Sequence, residues 1–143
     1  MFSLIYRSVA KESFGNAEVY QMLSDARDFN AEHDITGCLL FHDRKFLQLL
    51  EGDKQRVHHL FSLIESDPRH HQVHIIKAEE KGERLFRNWS MAFYDYGNLA
   101  QSAQIKLSQI NTFFEDSKAL KSASNLTGPF FSEVRNILLN RPL

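Results

Sequence analysis

Gln48 stands in the stretch KFLQLLEG (45–52) among Phe46, Leu47, Leu49 and Leu50, so its carboxamide is carried into an apolar interior. An amide brings two donor hydrogens and two acceptor lone pairs, and leaving them unmatched away from water costs about 1–3 kcal/mol. A second inward amide, Asn30, continues the helical stripe of Val19, Leu23 and Ala26. A phenol, Tyr6, shares one strand face with Leu4 and Ser8, and Trp89, Met91 and Phe93 are expected to share a face of the last strand. If these faces coincide, Tyr6, Gln48, Asn30, Trp89 and Met91 surround one space between sheet and helices. The polar groups could satisfy one another within a core. Taken together, two amides and a phenol lined by Met22, Leu23 and Ile64 better describe a mostly apolar pocket with a few convergent polar groups. Such a pocket suits a flat ring system whose edge shows both donors and acceptors.

Other chemistry is less well supported. Seven histidines invite a metal reading, best at HHQVH (70–74), but a helix ended by proline and followed by a strand would point His70, His71 and His74 apart, whereas zinc needs three or four converging ligands. No G-x-S-x-G, P-loop or H-E-x-x-H pattern occurs. The lone Cys38 lies on an apolar strand, where a free cysteine usually packs. RNA binding on a sheet of stacked aromatics would call for an RNP1-like string, and none occurs.

With 17 basic against 18 acidic residues, no general attraction to nucleic acid or anionic membrane is expected. One cysteine excludes an internal disulfide and fits a reducing compartment. The first ten residues lack signal-peptide character, and no run reaches the roughly 18 apolar residues of a membrane span, so a cytoplasmic home is expected.

The elements that must position these residues read as βαββαββ followed by helices. The expected strands are 2–9, ITGCLLFHD with KFLQLLEG as a hairpin across Asp43-Arg44, VHIIKAEEK, and SMAFYDY. The first helix covers 14–34 with Asn16 as N-cap. The second begins at Asp53, buries Val57, Leu60, Phe61 and Ile64, and ends at Asp67-Pro68. This order predicts an α+β, ferredoxin-like sheet with two helices on one face. Leu47 and Leu49 require cover on the other face, which stripes at Ala103, Leu107, Ile110 and Phe114, and at Phe130, Val134, Ile137 and Leu138, would supply. The expected division is a core over 1–97 and a helical cap over 98–143.

The segments LIYRS, ARDFNAEHDITGCLLFHDRKFLQLLEG, VHHLFSLIESDPRHHQVHI and RLFRNWSM resemble the BLUF domains, blue-light sensors that bind a flavin, usually FAD, with FMN or riboflavin as alternatives. The resemblance covers residues 4–96; the tail is similar only in being helical. It implies that Tyr6 donates an electron, followed by a proton, to photoexcited flavin. It implies that Gln48 bridges Tyr6 and the flavin and then changes its hydrogen-bonding state. An amide can reverse donor and acceptor, by rotation or tautomerisation, with little change of shape.

By the same resemblance Asn30 pairs with the pyrimidine edge of the flavin, Ser8, Met22 and Ile64 belong to the binding site, and Arg69 and His70 lie near the outer cofactor, where Arg69 could pair with phosphate. Trp89 and Met91 belong to a strand that passes the switch onward; adjacency, not the resemblance, suggests a route from Met91 through Ile110, Phe113 or Phe114 to a partner surface. Two departures stand out. Phe29 replaces an amide or histidine common in relatives, and Asp43-Arg44-Lys45 replaces a turn that often holds glycine. The implied protein is a photosensor without an effector domain and without net turnover, signalling to a partner protein or through self-assembly as a homo-oligomer. The alternative is a light-insensitive interaction module of the same fold. No direct nucleic-acid or membrane partner and no metal is expected.

Overall fold

The computed structural model describes residues 1–12, 15–42, 44–87, 89–95 and 131. Five strands and two helices run in the order β1 (Phe2–Ala10), α1 (Asn16–Glu32), β2 (Thr36–His42), β3 (Lys45–Gly52), α2 (Lys54–Glu65), β4 (His70–Glu80) and β5 (Ala92–Asp95). They form one sheet in the order β4-β1-β3-β2-β5, antiparallel except where β5 joins β2 in parallel. This is the expected ferredoxin-like α+β layout, with one strand added beyond β2.

Residues with period-two spacing meet on the helical side of the sheet. Leu4 and Tyr6 of β1, Leu39 and Phe41 of β2, and Phe46 and Leu50 of β3 share a core with Val19 and Leu23 of α1 and Val57 and Phe61 of α2. Leu60 and Ile64 pack at its edge, completing the expected stripe of α2. The alternate residues Ile5, Cys38, Leu40, Leu47 and Leu49 are also buried, so both faces of the central strands are shielded from water. The tail helices expected to provide that shield lie outside the described residues. Phe131 alone is described there; it is helical, buried, and edge-on to Phe86 at 6.3 Å.

Three local details differ from expectation. The N-cap of α1 is Gly15, not Asn16, and the Gly15 N–H donates to the Glu18 carboxylate at 3.0 Å. Strand β4 begins at His70 instead of Val73, because register shifts against β1 between Ile5 and Tyr6 and between Arg7 and Val9 let the pairing continue to Ala10 and His70. Strand β5 starts at Ala92 instead of Ser90, so residues 89–91 precede it and do not follow strand alternation. Asp53 caps α2 as expected, accepting from the Arg56 N–H at 3.2 Å. In the β2–β3 hairpin His42 pairs with Lys45, and Arg44 takes the left-handed turn position at φ 65°.

Candidate flavin site

Tyr6 and Gln48 are register partners on β1 and β3, and Gln48 also faces Leu39 of β2. Pairing in the middle of the sheet fixes their backbones, so the two side chains meet on the helical face. The buried Tyr6 O–H donates to Gln48 Oε1. The other end of the same amide, Gln48 Nε2, donates to the sulfur of Met91 at 3.4 Å. The Tyr6 ring packs on Phe61 at 5.5 Å and stands edge-on to His70 at 6.4 Å. Burial, and secondarily the charge of Asp67, push the phenol's pKa well above the ordinary tyrosine range, so Tyr6 keeps its proton at neutral pH.

Tyr6, Gln48 and His70 border a cavity of about 270 Å³ between the sheet and both helices. Its apolar walls include Met22, Leu39, Phe46 and Ile64; Tyr6, Asn30 and Gln48 provide polar groups, and Asp25, Asp67, Arg69 and His70 add charged or titratable side chains. Asn30 is 1 % exposed. Its Nδ2 donates to the Ser90 carbonyl at 2.9 Å, while its Oδ1 is buried with no hydrogen-bond partner. An unmatched buried acceptor on a cavity wall is what a ligand N–H would satisfy. The residues present therefore fit a planar heterocycle with an N–H donor at its edge, as a flavin has.

Arg69 is held by Asp67 through Nε at 3.0 Å and a terminal nitrogen at 2.6 Å. The Arg69 hydrogen bond is the main cause of the lowered pKa of Asp67. His70 does not lie in a loop: Nε2 meets the Ile64 carbonyl at 2.5 Å and Nδ1 meets the Ser8 hydroxyl at 2.8 Å. Nε2 must donate to a carbonyl, so in the neutral ring Nδ1 accepts from Ser8. Ser8 is thus placed behind His70 and is not part of the cavity wall.

Trp89 and Met91 do not share a face. Met91 is buried against Gln48, whereas Trp89 is half-buried, away from the cavity, with its ring 5.7 Å from Phe86. The bend before β5 removes the alternation assumed for these residues. Leu23 likewise packs into the core and does not line the cavity, which Met22 does. Phe29 lines it and stacks on His33 at 4.0 Å. Three contributors had no signal in the pattern of residues: Leu39, aligned by its register with Gln48; Asp67, brought in by the turn after α2; and Arg27, whose Nε donates to the Met91 carbonyl at 3.1 Å. His71 and His74 are exposed and apart from His70, and no three metal-ligating side chains converge among the described residues.

A sequence model of the family described as "BLUF: Sensors of blue-light using FAD" matches residues 1–92. The chain is 33% identical over 93 residues to the blue light- and temperature-regulated antirepressor BluF of Escherichia coli, covering 65% of this chain and 23% of that protein. It is 32% identical over 90 residues to photoactivated adenylate cyclase subunit beta of Euglena gracilis, covering 62% of this chain and 10% of that protein. The chain thus spans a quarter or less of the length of these relatives. Among solved structures, BlsA in its photo-activated state aligns with a TM-score of 0.71 at 28% identity over 87% of this chain and 91% of that one. The dark-state structure of BlrB, a BLUF protein, aligns with a TM-score of 0.67 at 32% identity over 75% and 84% respectively.

Proposed function

Because the chain belongs to the BLUF family of blue-light sensors, we propose that its own cavity binds FAD noncovalently and that Tyr6 and Gln48 form its light-driven switch. The observation that carries this reading is the Tyr6 O–H donated to Gln48 Oε1 on the wall of a cavity where Asn30 offers an unmatched acceptor. Bound flavin supplies blue-light absorption and an acceptor for one electron and one proton.

Tyr6 is the donor of both. It is protonated because it is buried, and its proton already points along a hydrogen bond into the Gln48 amide. Gln48 can then exchange the groups it shows to Tyr6 and to Met91, since an amide presents donor and acceptor ends of similar shape. Asn30 would hold the flavin through Oδ1, its Nδ2 being already engaged by Ser90. Met22, Leu39 and Ile64 would exclude water from a bound ring. Arg69, steadied by Asp67, and His70, steadied by Ser8, border the part of the site nearer solvent, where FAD's phosphates would meet Arg69. The altered amide acts on Met91, and the signal passes to a partner protein or to self-assembly in the cytoplasm without turnover of a substrate.

Absorption spectra of the purified protein in the dark and just after blue illumination test this. A flavin spectrum that moves slightly to the red and relaxes in darkness is expected. Bound flavin without any shift, or failure to load flavin, would overturn the reading in favour of an interaction module.

A further inference from the structure

The switch proposed above leaves one buried charged group without a role. Glu51 lies on β3, the strand of Gln48, and is 0 % exposed. Three positions beyond Gln48, it belongs to the opposite face of the sheet. A buried carboxylate persists only where strong donors compensate for lost water. Here the donors are the N–H groups of Leu85, at 2.5 Å, and Phe86, at 2.9 Å, together with the Thr36 hydroxyl at 3.1 Å. Arg84 closes the cluster, donating to Thr36 Oγ1 at 3.0 Å and to the Asp34 carbonyl at 2.8 Å.

The two backbone groups clamped by Glu51 begin the segment that runs to Met91. Its far end is fixed as well: Gly37 N–H donates to the Trp89 carbonyl at 3.2 Å, Asn30 to the Ser90 carbonyl, and Arg27 to the Met91 carbonyl. Strand β3 therefore grips one segment twice, through Glu51 at residues 85–86 and through Gln48 at Met91.

We propose that Glu51 is a positioning residue of the photoswitch: by clamping the Leu85 and Phe86 N–H groups it holds the Met91 sulfur against Gln48 Nε2 and so sets the rate at which the switched amide returns. This rests on the function proposed above. The arrangement described here has Met91 as the acceptor for Nε2. Loosening the clamp withdraws that acceptor and disfavours this arrangement relative to the switched one, so return should slow.

The test compares Glu51→Leu and Glu51→Gln with the unmodified, flavin-loaded protein, reading dark recovery after a blue flash and iodide quenching of Trp89, the chain's single tryptophan. Glu51→Leu is expected to keep the red shift, slow recovery at least threefold, and raise quenching in the dark. Each clamped N–H uses its own carboxylate oxygen, so Glu51→Gln keeps an acceptor for one and turns an NH2 donor on the other, and should slow recovery less than Glu51→Leu. If Glu51→Leu does not fold, Arg84→Ala, which releases Thr36 and Asp34 from the partly exposed side of the cluster, is expected to slow recovery in the same sense. A normal or faster recovery in the folded variant overturns the clamp. Absence of any light-induced shift in the unmodified protein overturns the proposed function instead, and the quenching comparison then decides whether Glu51 holds the segment.

Discussion

Replacing Asn30 with Leu separates a ligand-binding amide from a structural one. The side chain has two ends in different situations: Nδ2 holds the Ser90 carbonyl at 2.9 Å, and Oδ1 is buried without a partner. Losing the first bond costs about 0.5–1.5 kcal/mol, whereas removing an unmatched buried oxygen relieves about 1–3 kcal/mol. The effects oppose each other, so the flavin-free protein, measured by urea unfolding, is expected to lie between about 0.5 kcal/mol less stable and about 2.5 kcal/mol more stable than the unmodified chain. Flavin affinity has no such compensation. A ligand N–H that leaves water and meets leucine loses about 1–3 kcal/mol, and with tenfold per 1.4 kcal/mol the Kd should rise roughly 5- to 150-fold. Titration followed by flavin fluorescence gives the second number. An unchanged Kd beside a large loss of stability would refute the reasoning, because Asn30 would then serve only as the anchor of Ser90.

Tyr6→Phe should retain flavin but lose the red shift, and Gln48→Leu should do the same; a normal light-minus-dark spectrum in either would remove that residue from the switch. Burial holds the Tyr6 phenol's pKa well above its unfolded value of about 10, so the pH dependence has a definite sign. Its contribution to stability is complete below about pH 10 and is lost as pH rises beyond that, and the light response should be level from about pH 6 to 9. A response that falls within that window would contradict it. Cys38 is buried, with its pKa pushed up by burial first and by Glu51 second, so a thiol reagent at pH 8 should label it only at the rate of unfolding; rapid labelling of the native protein would contradict its packing. The hydrogen bond from Arg69 lowers the pKa of Asp67, so that stabilisation is present above the unfolded value near 3.9 and fades as pH falls through the lower folded value. Asp67→Asn should flatten the stability profile below about pH 4, as read by thermal unfolding, and an unaltered acid limb would show that the ion pair has no weight.

The parts legible in the sequence were those governed by regular periods. Alternation placed Tyr6 and Gln48 on one sheet face, and a period of 3.6 brought Asn30 to the same cavity. Failures came where a period was interrupted. Trp89 and Met91 were assigned one face as though residues 89–91 were strand, but the bend before β5 sends them apart. The expected strand started at Val73, after His70, because the register shifts that admit His70 to β4 depend on how β1 and β4 pair, which no local pattern encodes. Glu51 gave no sign of its role, because its partners are backbone N–H groups of Leu85 and Phe86, and any residue type would offer the same donors. Asn16 was a sound capping residue by type, yet Gly15 takes the position and Glu18 supplies the carboxylate.

The order β4-β1-β3-β2-β5 gives β1 and β3, the strands of Tyr6 and Gln48, a hydrogen-bonded neighbour on each side. Amides in such strands usually exchange with solvent deuterium only when a large cooperative unit opens, whereas segments tied by a few isolated bonds exchange through small local openings. The proposed switch, Tyr6 and Gln48, is thus mounted where exchange is expected to be slowest. Deuterium uptake should barely distinguish light from darkness along β1 and β3, and the difference should concentrate in residues 84–91, where isolated bonds from Glu51, Asn30, Arg27 and the Gly37 N–H, with no strand ladder among the described residues, hold the backbone to the sheet and to α1.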